Sequence, residues 1–211
     1  MTDMTARRAL IFGATGMVGR NVAEQLIADG GWEVIGVSRS RSAGLDGMRE
    51  VRCDLLDAAA TKAALADSGP VSHVFFATWR RCANEAENCE VNGAMMRNAL
   101  AAVPGDALRH VALVTGLKHY LGSFDDFAKR PVDTPLLESQ PRAPGPNFYY
   151  VQEDILFEGA RTHGYTWSVA RPHTIIGYAP GNAMNLGTSV AVCRLMMTPE
   201  KSGSVGATND S

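Results

Sequence analysis

Short apolar segments alternate along the chain with longer segments whose apolar residues recur at helical spacing. The apolar segments predict six strands, at Arg8–Phe12, Glu33–Val37, Arg49–Cys53, His73–Ala77, His110–Thr115 and Thr166–Ala170. The intervening segments predict helices at Met17–Ala28, Ala58–Ala66, Glu85–Ala102 and Tyr150–Thr162. Strands that alternate with helices are typical of βαβ units, whose strands run parallel. We therefore predict an α/β fold with a doubly wound parallel sheet. The proline-rich stretch Lys129–Asn147 predicts a long irregular loop.

Three glycines stand between the first predicted strand and the first predicted helix. They are Gly13, Gly16 and Gly19, in the segment GATGMVG. Residues without a Cβ let the backbone turn tightly and approach a pyrophosphate, and the N-terminus of the following helix offers N–H donors and a positive dipole. The alternative is a purely structural turn. Because a strand precedes the glycines and a helix follows them, we predict an NAD(P)-binding Rossmann fold.

The residues after the second and third predicted strands indicate which dinucleotide binds. Arg39 lies about 20 residues after Gly19, where an acidic residue would accept from the ribose 2′-hydroxyl of NAD and an arginine accommodates the 2′-phosphate of NADP. Arg39 and Arg41 alternate with Ser38 and Ser40, and this segment without an acid favours NADP. The alternative is a solvated basic loop. Asp54 either accepts a hydrogen bond from the adenine amino group or caps the next helix.

Two motifs near the predicted carboxyl edge of the sheet carry candidate reaction chemistry. The motif TGLKHY places Lys118 after the fifth strand, and NFYYVQED places Tyr149 at the start of a helix. Dehydrogenases of the short-chain type have a lysine one helical turn after the tyrosine, which lowers the pKa of the phenol. Here Glu153 holds that position, and an anion beside a phenol raises its pKa. Either Tyr149 is not catalytic, or its cation comes from elsewhere in the chain.

Several further segments occur together with these two in one known family. They are FATW at 76–79, ENCEVN at 87–92, WSVARPHTIIG at 167–177 and PGNAMN at 180–185. With these motifs in this order, the chain resembles the progesterone 5β-reductase/iridoid synthase-like enzymes, which are atypical extended short-chain dehydrogenase/reductases. The resemblance implies NADPH-dependent 1,4-reduction of activated C=C bonds in small-molecule enones and enals. It also implies that the cation is Lys118 and the phenol is Tyr149.

If Lys118 is the cation, Tyr149 can be catalytic although Glu153 occupies the usual position of the lysine. A hydride that bonds to the β-carbon drives charge onto the carbonyl oxygen, and a phenol donor stabilises the resulting enolate. The alternatives are a packed core tyrosine and a solvated surface lysine. We expect supporting or packing roles for His119, Tyr120 and Tyr150. We expect contacts to NADPH (NADP⁺) from Gly13, Thr15, Gly16, Met17, Val18, Gly19, Ser38, Arg39, Asp54, Leu55, Thr78, Trp79, Thr115, Lys118, Tyr149 and Ile176.

The resemblance also gives the predicted domain boundaries. Residues 1–178 are predicted to form the NADP-binding Rossmann domain, 179–197 to begin the substrate-binding region, and the polar residues 198–211 to be a disordered tail. Members of the family are longer, so we expect the C-terminal substrate domain to be largely absent. A fragment, a frameshifted product and a natural short form all remain open. Two alternatives to a reductase follow: a non-catalytic NADP(H)-binding sensor or remnant, and an epimerase- or dehydratase-like protein acting on nucleotide sugars.

Composition narrows the partners and the location. A net charge of −2 gives no general attraction for nucleic acid or for an anionic membrane. The sequence shows no signal peptide and no apolar stretch of spanning length, so we expect a cytoplasmic protein. The four cysteines form no C-x-x-C pair, which argues against a structural zinc ion and a disulfide framework, and we expect no metal site. The oligomeric state stays open, with a homodimer as one alternative.

Overall fold

A computed structural model describes most of the chain. It describes residues 7–39, 44–103, 106–123, 126, 129, 134–177 and 179. Arg41, the PGNAMN motif at 180–185 and the predicted tail at 198–211 lie outside the described residues, as does nearly all of the region 179–197. The domain boundary at residue 178 therefore stays a prediction.

Strands and helices alternate through the described part of the chain. The strands are β1 (Arg7–Phe12), β2 (Trp32–Ser38), β3 (Met48–Arg52), β4 (His73–Phe76), β5 (His110–Val114) and β6 (Thr166–Ala170). The helices are α1 (Met17–Asp29), α2 (Ala58–Leu65), α3 (Glu85–Ala101), α4 (Lys118–Leu121) and α5 (Phe148–His163), and a 3-10 turn follows α2 at Ala66–Ser68. The predicted strands and helices are confirmed, with ends that differ by at most two residues. The short helix α4 was not predicted.

All six strands form one parallel sheet in the order β3-β2-β1-β4-β5-β6. The strand order reverses between β1 and β4, and ligands of such sheets bind at this switch point, beyond the carboxyl ends of the strands. The register places Phe12 at the end of β1 opposite both Val37 and Phe76. The predicted doubly wound sheet is confirmed, and the glycine turn directly follows its switch-point strand.

Apolar layers cover both faces of the central strands. Leu10 and Phe12 are fully buried on the face that α2, α3 and α5 cover, in one cluster with Met96 of α3. Ile11 is fully buried on the opposite face, in a cluster with Ala23 of α1. Successive side chains of a strand point to opposite faces. The burial of both faces explains why β1 is a continuous apolar segment.

Side-chain caps fix the starts of three helices. The cap residues are Asp57 for α2, Asn84 for α3 and Asn147 for α5, and each side chain accepts a hydrogen bond from a backbone N–H of the first turn. Such caps satisfy N–H groups that have no partner inside the helix. The cap at Asn147 places Tyr149 in the first turn of α5.

The connection that leads into α5 is irregular, as predicted. Its described part, residues 134–147, contains neither helix nor strand. Within the ranges described above, no helix is both long enough and apolar enough to cross a membrane.

Candidate active site

The glycine turn after β1 is too crowded for side chains at two of its three glycines. Gly13 has a φ of +87°, and a Cβ there would lie 2.5 Å from the Ala77 carbonyl oxygen. A Cβ on Gly19 would overlap the carbonyl group of Gly13. Gly16 is the N-cap of α1 and donates from its N–H to the Gly13 carbonyl oxygen at 2.9 Å. The turn therefore needs glycine to bring β1, α1 and the loop after β4 together.

A cavity of about 110 Å³ lies beside this turn. Seven of the predicted cofactor-binding residues line it, namely Gly13, Thr15, Ser38, Arg39, Asp54, Leu55 and Thr78. The other lining residues were not among the predicted cofactor contacts, and they are Val37, Cys53, Leu56, Arg80 and Met95. All except Met95 lie at or just after the carboxyl ends of β1 to β4. Residues from the ends of four separate strands thus lie together at one edge of the sheet.

Asp54 belongs to the cavity wall and does not cap a helix. Its Oδ1 accepts a hydrogen bond from the Leu56 N–H at 3.1 Å, which closes a local turn. The cap of α2 is Asp57, whose Oδ1 accepts from the Ala60 N–H at 2.9 Å. The predicted capping alternative for Asp54 is therefore wrong, because the helix begins one turn later than that alternative required.

Arg80 also lines this cavity. Hydrogen bonds with two buried asparagines fix the loop that carries it. The Arg80 N–H donates to Asn92 Oδ1 at 2.7 Å, and Asn92 Nδ2 donates back to the Arg80 carbonyl oxygen at 2.9 Å. The Cys82 N–H donates to Asn88 Oδ1 at 2.8 Å. Both asparagines belong to the ENCEVN motif on α3. The motif therefore fixes the path of the loop after β4.

Lys118 lies in a buried ion pair. The side chain is only 2% exposed, and its Nζ lies 2.7 and 2.6 Å from the two carboxylate oxygens of Glu85, the first residue of α3. The ring of Phe148 lies 4.4 Å from the same nitrogen. The alternative of a solvated surface lysine is therefore wrong. Glu85 was not among the predicted site residues.

Tyr149 approaches Lys118 from the first turn of α5. Its ring centroid lies 5.8 Å from Lys118 Nζ. A Cβ on Gly116 would lie 3.4 Å from the Tyr149 hydroxyl oxygen, so the hydroxyl lies against the backbone that follows β5. Burial, and after it the negative charge of Glu85, raises the pKa of Tyr149 to about 12. The phenol is therefore neutral near neutral pH, and its O–H can donate a hydrogen bond.

Glu153 interacts with a different set of partners. Its buried carboxylate accepts from Arg171 at 3.0 Å and from Arg142 at 3.1 Å, and His119 Nδ1 lies 3.3 Å from it. Burial is the main cause that lowers the pKa of His119. The prediction that Glu153 raises the pKa of Tyr149 is wrong about the residue, since the acid that acts on this phenol is Glu85.

Two further residues join α4 to α5. Asn147 Nδ2 donates to the Lys118 carbonyl oxygen at 2.7 Å. The Tyr150 hydroxyl donates to the His119 carbonyl oxygen at 2.5 Å and accepts from the Ala143 N–H at 2.8 Å. These contacts agree with the supporting roles predicted for His119 and Tyr150.

The remaining predicted cofactor contacts lie outside the cavity lining. Met17 and Val18 begin α1, directly after the glycine turn. Thr115 follows β5 and donates from its N–H to the backbone carbonyl of the last residue of β6 at 2.9 Å. Trp79 stacks on the ring of the first residue of α5, and Ile176 is 72% exposed. Their contacts to a cofactor stay predictions.

Comparison with known proteins decides the family. Residues 42–203 match the PRISE-like Rossmann-fold domain. The chain belongs to this family. The predicted resemblance to the progesterone 5β-reductase/iridoid synthase-like enzymes is therefore confirmed, and the sheet described above is a nucleotide-binding Rossmann fold.

Curated plant relatives resemble this PRISE-like chain over most of its length. It is 43% identical to an (S)-8-oxocitronellyl enol synthase of Nepeta cataria and to a 3-oxo-Δ4,5-steroid 5β-reductase of Arabidopsis thaliana. Each alignment covers 194 residues, 87% of this chain and 50% of the relative. The chain thus spans about half the length of the curated relatives it matches.

Solved structures of lower identity share the fold of this PRISE-like domain. A short-chain dehydrogenase/reductase superfamily protein from Agrobacterium tumefaciens with bound NAD is 22% identical, with a TM-score of 0.64 over 81% of this chain and 50% of the other. The UDP-glucose 4-epimerase of Thermus thermophilus with NAD is 21% identical, with a TM-score of 0.64 over 78% of this chain and 54% of the other. At these identities the likeness concerns the fold alone.

Proposed function

We propose that residues 1–178 form an NADP-binding domain that holds NADPH (NADP⁺) at the carboxyl edge of the sheet. The glycine turn supports this proposal. Backbone atoms occupy the space that a Cβ would fill at Gly13 and Gly19, so the tight turn between β1 and α1 needs glycine at both positions. The N-terminus of α1 follows this turn and offers N–H donors to a pyrophosphate. Related solved structures that share the fold contain bound NAD.

The preference for NADPH rests on the charges of the cavity. Arg39 follows β2 and Arg80 follows β4, and both line the cavity. A guanidinium presents parallel N–H donors that match phosphate geometry, so either arginine suits a ribose 2′-phosphate. Arg39 itself stands about 20 residues after Gly19, where an NAD-binding fold places its acid. Asp54, on the neighbouring strand end, remains the candidate acceptor for the adenine amino group.

We propose further that the domain reduces activated C=C bonds of small-molecule enones and enals by 1,4-addition. The cofactor, when bound, supplies the hydride. As the hydride bonds to the β-carbon, the C=C electron pair forms a new double bond from the α-carbon to the carbonyl carbon, and the carbonyl pair moves onto oxygen. Tyr149 donates a hydrogen bond to that oxygen and stabilises the enolate. A proton from water then adds to the α-carbon.

The single observation that carries this proposal is the pairing of a neutral phenol with a buried ammonium. Tyr149 stays protonated because its pKa is raised to about 12, and Lys118 is held within 5.8 Å of its ring. Lys118 thus supplies the cation that other short-chain dehydrogenases place after the tyrosine, where this chain has Glu153. Lys118 and Tyr149 are also the residues that would hold the nicotinamide ribose. Relatives named a steroid 5β-reductase and an enol synthase support this chemistry.

The experiment is consumption of NADPH by the full chain with 2-cyclohexenone as substrate. We expect turnover in the wild type and a loss of about 100-fold or more in Tyr149→Phe, because the enolate then lacks its donor. Tyr165→Phe is the matched control, since Tyr165 is also buried but donates to the Leu156 carbonyl oxygen, away from the proposed site.

The other outcomes separate the alternatives. NADPH binding without turnover would favour a cofactor-binding protein. Equal turnover in wild type and Tyr149→Phe would contradict the proposed site. Turnover of a nucleotide sugar in place of the enone would favour the epimerase-like alternative, against which Glu153 argues, because it occupies the position one turn after the tyrosine where that class has a lysine.

A further inference from the structure

The carboxylate of Glu85 contacts three helices at once. Its two oxygens accept from Lys118 Nζ of α4 at 2.7 and 2.6 Å. Oε1 also accepts from the Phe148 N–H at the start of α5 at 2.9 Å, and Oε2 accepts from Asn88 Nδ2 on its own helix at 3.2 Å. The two partners on other helices are 33 and 63 residues away in sequence. Glu85 therefore joins α3, α4 and α5 through one side chain.

Stability alone is a weak reason for this arrangement. The side chains of Glu85 and Lys118 are only 8% and 2% exposed. Burial of two charges carries a desolvation cost that often equals or exceeds their mutual attraction, and apolar replacements of such pairs are often neutral or stabilising. The contacts of Glu85 point to a different role, because its partners are the candidate cation and the residue that directly precedes Tyr149.

The charge of Glu85 acts on Tyr149 directly. After burial, Glu85 is the cause that raises the pKa of this phenol. Among the described residues, the Lys118 ammonium also lies near the ring, and Glu85 compensates its charge. Cys89 follows Glu85 by one turn of α3, and burial and Glu85 raise the pKa of its thiol while Lys118 lowers it. His119, Glu153, Arg142 and Arg171 form the separate ion cluster described above.

We propose that Glu85 is a positioning residue that holds the Lys118 ammonium and the first turn of α5 in one arrangement and compensates the ammonium beside the Tyr149 phenol. The reaction in which this phenol acts is the proposed enone reduction, on which the inference rests. If Glu85 were neutral, the buried ammonium would favour the phenolate.

The test is a titration of Tyr149 in the protein without cofactor or substrate. Tyrosine labelled with ¹³C at Cζ distinguishes phenol from phenolate by NMR, and Tyr149→Phe assigns the signal. In the wild type we expect Tyr149 to stay protonated up to about pH 11. In Glu85→Gln, which keeps the shape but loses the charge, we expect the midpoint to fall by about one pH unit or more.

Two variants control for position and for general charge effects. Glu85→Asp keeps the charge, and we expect it to restore a titration close to that of the wild type. Glu87→Gln removes an exposed carboxylate two residues away on the same helix, and we expect no shift. If Glu85→Gln does not fold, the neutral double variant Glu85→Gln/Lys118→Met is compared with Lys118→Met, and its midpoint should lie below that of this single variant, which keeps the charge of Glu85.

The outcomes separate this inference from the proposed function. A midpoint for Tyr149 that is unchanged in folded Glu85→Gln, or that is the same in the double variant as in Lys118→Met, overturns the role of Glu85. An absence of turnover in the wild type would count against the reductase proposal but would leave the titration result standing, because the titration uses neither NADPH nor enone.

Discussion

The side-chain amide of Asn147 donates a hydrogen bond to the Lys118 carbonyl oxygen at 2.7 Å, while its Oδ1 accepts from the Tyr149 N–H at 3.0 Å. One buried residue thus links the backbone that carries the candidate cation to the helix that carries the candidate phenol. Glu85 makes a second link between the same two elements through its side chain. The relative position of Lys118 and Tyr149 is therefore fixed twice.

Replacement of Asn147 by serine should separate its two roles. Serine keeps a capping oxygen but loses the amide donor, so the buried carbonyl of Lys118 is left without this partner. We expect the free energy of unfolding to fall by about 1–3 kcal/mol in urea denaturation. Asn84→Ser is the matched control, because Asn84 is an exposed cap of α3, and serine caps almost as well as asparagine. Equal losses in the two variants would contradict the role of the amide.

Replacement of Arg39 by alanine should weaken NADPH binding selectively. Loss of a charge-assisted hydrogen bond to the 2′-phosphate costs about 1.5–3 kcal/mol, which corresponds to roughly 10- to 150-fold in Kd. The Kd of NADH, which lacks that phosphate, should change little. Both values follow from fluorescence titration of the reduced cofactor. Arg52→Ala is the control, because Arg52 ends β3 without lining the cavity. A parallel loss for NADH would show that Arg39 does not contact the 2′-phosphate.

Replacement of Gly13 by alanine should abolish cofactor binding or folding. Besides its positive φ, the residue has no room for a Cβ, which would lie 2.5 Å from the Ala77 carbonyl oxygen. Gly164→Ala is the matched control, because Gly164 also has a positive φ, of 76°, but nothing lies within 4 Å of its added Cβ. We expect Gly164→Ala to lose about 1–2 kcal/mol of stability and to keep its affinity for NADPH. Full NADPH affinity in Gly13→Ala would contradict the close approach at this turn.

Tyr149 should make the protein less stable at alkaline pH. Its pKa in the folded protein, about 12, lies above the value of 10 for an ordinary tyrosine. Between these values the unfolded chain loses a proton that the folded protein keeps, so stability falls as pH rises. At about pH 11 the loss is about 1.4 kcal/mol. Urea denaturation at about pH 9 and 11 should show this loss in the wild type, and Tyr149→Phe should lose that much less. Equal losses would place the phenol in a more exposed setting.

The fold could be predicted from the sequence because its signals are local. The alternation of apolar strands with amphipathic helices, and the glycines between β1 and α1, lie within short stretches of chain. Once the strands are predicted, Arg39 and Asp54 are expected at the same edge of the sheet, because the carboxyl ends of parallel strands lie at one edge. The short helix α4 was missed because its four residues are too few to show a period.

The charge pattern of the site could not be predicted, because it depends on contacts between distant segments. Glu85 at the start of a helix is an ordinary complement to the helix dipole, and only the folded chain brings it to Lys118. The partner of Glu153 was predicted wrongly because a local pattern suggested a contact that the folded chain does not make. Spacing by four residues suggests contact with Tyr149, but Arg171 and Arg142 engage its carboxylate instead.

Hydride addition to the β-carbon of an enone at the Tyr149 site is the step that defines the proposed activity. The most direct measurement follows deuterium from NADPH labelled at C4 into the product of 2-cyclohexenone, by mass spectrometry and NMR. We expect saturated ketone with deuterium at the β-carbon, and far less of it from Tyr149→Phe. Deuterium on the carbonyl carbon, which means 1,2-reduction to an alcohol, or no transfer by protein that binds NADPH, would contradict it.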